Sequence, residues 1–94
     1  MTLETLPFDA AKYLATPQSQ AELIAEALES GDAAYIAAAL GVVARARGMA
    51  EVAREAGVTR ASLYKALSEN GDPHLTTVLG VMKALGLKLT VTTN

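Results

Sequence analysis

Along most of this chain the apolar positions recur at intervals of three and four residues, and only at the end do they alternate, which predicts a run of short helices followed by a strand. A first short helix is expected over Asp9–Ala15. Thr16 is placed to cap a second, with Pro17 at its first position, where the N–H that proline lacks would be unbonded anyway, and Ser30-Gly31 stops it after Glu29. Asp32 caps Ala33–Arg47, whose apolar stripe is Tyr35, Ile36, Leu40, Val43 and Ala44; Gly41 weakens this helix and Gly48 ends it. Met49–Ala56 is short and closes at Gly57, and Thr59 caps Arg60–Ser68. The turn residues Glu69-Asn-Gly-Asp-Pro73 lead to Leu75–Leu85, with Val78, Leu79, Met82 and Leu85 inward and Gly86 as the stop. Beyond it Leu87, Leu89 and Val91 alternate with Lys88, Thr90 and Thr92, the period of a strand.

Composition narrows this to one helical domain. The 94 residues suffice for one core. Half are apolar, yet nineteen are alanine, with one Phe and no Trp, so the core must be built from close helix-on-helix approaches. The absence of cysteine removes disulfides and thiolate chemistry. The opening residues carry no basic patch followed by an apolar stretch, and the longest apolar run, Ala33–Ala44, is too short to span a bilayer. A soluble cytoplasmic protein without a membrane partner is expected. Its net charge of −2 hides an asymmetry. Residues 1–32 carry six carboxylates against Lys12, and residues 33–94 carry seven Lys or Arg against four carboxylates, so two surfaces for different partners or merely scattered solvated charge would both fit.

The stretch that speaks to function is Met49–Ser68, MAEVAREAGVTRASLYKALS. A helix-turn-helix needs a small residue where its helices cross, a residue able to take a left-handed backbone at the turn, and apolar residues pinning the second helix. Ala53, Gly57 and the set Val52, Ala56, Val58, Leu63, Ala66 and Leu67 meet those needs, although an ordinary helical hairpin uses the same elements. Thr59 then caps a helix that turns Arg60, Ala61, Tyr64, Lys65 and Ser68 outward, toward a DNA major groove. Arg60 and Lys65 suit base edges, and Ser62, Ser68 and Thr59 suit groove contacts or caps. Arg45, Arg47 and Arg54 precede or lie on the first helix, where a duplex backbone would cross it. Taken singly, each basic residue fits solvated surface equally well. Tyr64 either contacts the nucleic acid or packs partly inward.

This stretch resembles the Xre/Cro group of helix-turn-helix domains, in which a five-helix bundle surrounds the reading pair and an Asn/Gly/Pro turn precedes a last helix ending in A-L-G. Asn70-Gly-Asp-Pro73 and Val78–Gly86 stand at those places. The strings Ile36–Gly48 (IAAALGVVARARG), Val52–Leu67 and Thr77–Leu87, with the opening Phe8–Leu14, are similar to HigA-like probable addiction-module antidote proteins. The resemblance implies an all-α, Xre/Cro-like five-helix bundle with an extra N-terminal helix and a short C-terminal strand. It also implies an antitoxin that neutralises a small basic RelE/ParE-like toxin and binds operator DNA to repress its own operon. Two departures stand out: His74 occupies a position where many relatives carry a capping Ser, and Ala61-Ser62 follow the first recognition Arg in place of Glu/Gly. The first puts a cap in doubt, and the second bears on which bases are read.

An acidic helical segment is thus expected over 1–31, a DNA-binding bundle over 32–86 and a strand-like tail over 87–94. Glu22, Glu26 and Glu29 share one helical face and fit either a basic partner or plain solvation. Leu87, Leu89 and Val91 lack an internal strand to pair with and would join two copies as a homodimer, pair with the toxin or fray. The lone His74 cannot anchor a metal, the hydroxyls Ser62, Ser68 and Thr59 have no histidine near in sequence to act as base, and no glycine-rich loop cradles phosphate, so neither cofactor nor enzyme activity is expected. A stand-alone repressor without a toxin and a non-DNA interaction module are the rival readings.

Overall fold

A computed structural model describes residues 16–68 and 70–93; the helix expected at Asp9–Ala15 lies outside the described residues. Those described form an all-helical bundle of α1 (Pro17–Ser30), α2 (Ala33–Arg47), α3 (Met49–Ala56), α4 (Arg60–Ala66) and α5 (Leu75–Ala84). Side chains placed just before three of the helices open them. The Thr16 hydroxyl accepts the Ser19 N–H at 3.1 Å, Asp32 Oδ1 accepts the Ala34 N–H at 3.0 Å, and the Thr59 hydroxyl accepts the Ser62 N–H at 3.0 Å. Each satisfies a backbone donor the first turn leaves unbonded. His74 stands at the same position before α5 but makes no side-chain capping bond.

The core draws on every helix. Ile24 of α1, Leu40 and Val43 of α2, Val52 and Ala53 of α3, Leu63 of α4, Leu67 just beyond it, and Val81, Met82 and Leu85 at α5 form one buried cluster. Removing a large aliphatic side chain of this kind from water is worth about 1.5–3 kcal/mol. Small residues let the helices close. α3 packs most extensively against α5, where a Cβ on Gly80 would come within 3.2 Å of the Ala56 Cβ. Gly41 is tighter: a Cβ there would lie 2.7 Å from the Leu67 carbonyl oxygen, so its absence admits the end of α4 onto α2.

Several expectations need correction. Leu79 is 45% exposed, because the inward stripe of α5 runs through Val81, which is fully buried, and leaves Leu79 at its flank. Tyr35 is also surface-lying, its hydroxyl donating to Glu26 Oε1 at 3.3 Å across α1 and α2. α4 ends at Ala66, before the expected Ser68, and Ser68 folds back to donate its hydroxyl to the Lys65 carbonyl at 2.9 Å. The expected C-terminal strand is not formed: residues 87–93 are in neither helix nor strand, and no strand occurs among the described residues. A strand exists only as half of a ladder, and alternation in one segment cannot supply the other half. Leu87 instead donates its N–H to the Met82 carbonyl at 2.8 Å and packs on the core, while Leu89 and Val91 stay exposed.

Candidate nucleic-acid interface

Three residues, Gly57, Val58 and Thr59, carry the chain from α3 to α4. Gly57 takes φ 76°, a left-handed conformation that costs a residue with a side chain about 1 kcal/mol or more. It reverses the chain so that the Val58 N–H donates to the Ala53 carbonyl at 3.0 Å and the Val58 side chain packs on the core. Ala53 is buried beneath the turn, and Leu63 and Leu67 seat α4. With that side committed to the core, Arg60, Ala61, Ser62, Tyr64 and Lys65 are all exposed. Thr59 is exposed as well, its hydroxyl engaged in the cap, and Ser68 is half-buried.

The four arginines divide by what they touch. Arg45, in the last turn of α2, and Arg60, at the start of α4, both reach the ring of Tyr64, with guanidinium carbons 5.9 Å and 5.8 Å from its centroid. This brings together three expected site residues from two helices, and Tyr64 is turned outward rather than into the core. Arg54 forms an ion pair of 3.1 Å with Glu51 one turn away, and both are well exposed, so the pair contributes at most a few tenths of a kcal/mol and opens readily. Arg47 has an internal role. Its Nε donates to Gln20 Oε1 at 3.1 Å and its Nη2 to the Leu85 carbonyl at 2.9 Å, tying α1, α2 and the end of α5 together. Sequence reading placed Arg47 with the phosphate-contacting residues; its anchors lie 27 and 38 positions away, beyond any local pattern.

Beside α4 opens a cleft of about 740 Å³, lined by Ser62, Lys65 and Ser68 on one side and by Asn70, Gly71, Asp72, Pro73, His74 and Thr77 on the other. The turn before α5, which the sequence marks only as a connection between helices, thereby extends the surface that α4 presents. Among the described residues Arg45, Arg60 and Lys65 have no carboxylate partner, the one ion pair being that of Arg54 with Glu51. An exposed cationic strip with one aromatic ring at its centre suits a polyanion, through charge and through stacking.

A family model described as probable addiction module antidote protein matches residues 4–93. The chain belongs to this family. An uncharacterized protein of Haemophilus influenzae (strain Rd) is 43% identical over 91 residues, covering 97% of this chain and 94% of the relative. No solved structure matches the chain. Antidote proteins act against a toxin, so membership carries with it a toxin partner in general, and such proteins are generally not enzymes. In this antidote chain the acidic residues Glu22, Glu26 and Glu29 are all exposed on α1, with Ile24 and Ala27 buried behind them. Among the described residues no helix is long and apolar enough to cross a membrane.

Proposed function

We propose that the chain is the antitoxin of a type II toxin–antitoxin pair, which neutralises a small basic RelE/ParE-like toxin and represses its own operon by binding operator DNA. In this reading α3 and α4 are a helix-turn-helix of the Xre/Cro kind, and the segment Thr59–Ser68 enters the major groove. Arg60 and Lys65 read base edges, Ala61, Ser62, Tyr64 and Ser68 line the groove, and Arg45 and Arg54 meet the backbone. The observation that carries it is the convergence of Arg45, Arg60 and Tyr64 on the outer side of α4, in a chain of the antidote family.

The bundle over 32–86 is then the DNA-binding part. The acidic segment 1–31 meets the toxin at least partly through Glu22, Glu26 and Glu29, where opposite charge speeds association. The exposed Leu89 and Val91 suit pairing with the tail of a second copy, giving a homodimer whose two reading helices meet half-sites about 34 Å apart. The test is a gel shift with the upstream promoter, comparing the unmodified protein with the Arg60→Ala/Lys65→Ala variant. The variant is expected to lose specific binding; undiminished binding would refute the assignment. For the toxin, reversing the three glutamates to lysine is expected to slow association and leave DNA binding intact. Light scattering on chains ending at Asn94 and at Gly86 tests the tail, an equally tight dimer after truncation removing it from the interface.

A further inference from the structure

Two guanidiniums on one tyrosine ring are a costly arrangement unless the ring holds them. Arg45 and Arg60 are fifteen positions apart, on different helices, and both approach Tyr64 closely enough for the negative face of the ring to attract them. Like charges gathered this way repel, and no carboxylate among the described residues pairs with either to relieve it. Tyr64 keeps 39% of its surface exposed, so the ring is not there to fill the core, a task that belongs to its neighbour Leu63. Arg60 and Tyr64 are one turn apart, on the same side of α4, while Arg45 arrives from the last turn of α2.

We infer that Tyr64 is a positioning residue for DNA binding: its ring holds Arg45 and Arg60 as a preformed pair, one directed at the phosphate backbone and the other at a base edge. This rests on the DNA-binding reading above. An arginine free in solvent must give up rotamer freedom when it binds, whereas one already resting on a ring has given up much of it beforehand. The same contact registers α4 against α2, so the two contacts keep a fixed offset on the duplex. The role requires an aromatic face and not the hydroxyl, which distinguishes it from a sugar or phosphate hydrogen bond by Tyr64 itself.

The experiment compares the full chain with Tyr64→Phe and Tyr64→Leu, leucine being a good helix former that removes the ring without disfavouring α4. In the free proteins, side-chain NMR resonances of Arg45 and Arg60 are expected at ring-current-shifted positions in the unmodified chain and in Tyr64→Phe, and at ordinary positions in Tyr64→Leu. With promoter DNA, Tyr64→Phe is expected to bind as the parent does and Tyr64→Leu to bind roughly 5- to 30-fold more weakly. Unshifted arginine resonances in the parent, or parent-like binding by Tyr64→Leu, would overturn the positioning role while leaving DNA binding in place. Loss of binding in Tyr64→Phe as well would assign the effect to the hydroxyl and overturn it too. A parent chain that binds no promoter DNA would instead defeat the DNA-binding reading, and the positioning role with it.

Discussion

The helices α1 and α4 begin alike and finish unlike. Each is opened by a threonine whose hydroxyl accepts the N–H three residues on, from Ser19 in one and Ser62 in the other, and each buries one side in the common core. Their outer sides diverge. α1, fourteen residues long, exposes Glu22, Glu26 and Glu29, whereas α4, half that length, gathers Arg60, Tyr64 and Lys65 and recruits Arg45 from α2. A cap and an apolar stripe determine where a helix starts and which way it turns. What the helix then meets is decided by the residues left outside, and in α4 those are organised by contacts with a second helix.

Unseating α4 is expected to have the largest effect. Leu63 is wholly buried, and Leu63→Ala is expected to cost about 2–5 kcal/mol, read as a lower urea midpoint at unchanged slope. Gly41→Ala comes next. The gain of up to about 1 kcal/mol from replacing a helix glycine is outweighed, because the new Cβ meets a backbone carbonyl at the α2–α4 contact, and a net loss of about 1–2 kcal/mol is expected in the same assay. The paired caps sharpen the contrast: Thr16→Ala and Thr59→Ala should each cost about 1 kcal/mol, yet only Thr59→Ala should also weaken promoter binding.

How much of this was legible in the sequence follows from the range of the interactions concerned. Helix starts and stops depend on residues within a few positions, so Thr16, Asp32, Gly57 and Thr59 could be read directly. The outward set of α4 followed from the spacing of Leu63 and Leu67. Contacts between helices could not be read. Gly41 looks from the sequence like a mere weakness in α2, although it admits the Leu67 carbonyl, and nothing near Arg47 in sequence shows that this exposed residue also holds Gln20 and Leu85. Leu89 and Val91 differ: they alternate, but a strand needs a partner, and no strand occurs among the described residues to pair with them.

The smallest expected effect lies on α1. Desolvation of the Tyr35 phenol, then the charge of Glu26 and the hydrogen bond Glu26 accepts from it, hold its pKa above the ordinary tyrosine value. The folded state therefore keeps this proton more tightly than the unfolded chain does. The associated stability is fully present below the unfolded pKa of about 10 and is lost as pH rises through the folded value. Glu26→Gln should bring the Tyr35 ring resonances to titrate closer to the ordinary value.

Adding promoter duplex to the isotope-labelled protein and following its amide resonances tests the central contrast most directly. The amides of Arg60–Ala66 and of Arg45 are expected to shift or broaden as DNA is added, while those of Glu22–Glu29 hold still. Perturbation centred on α1, or a spectrum that DNA leaves unchanged, would contradict it.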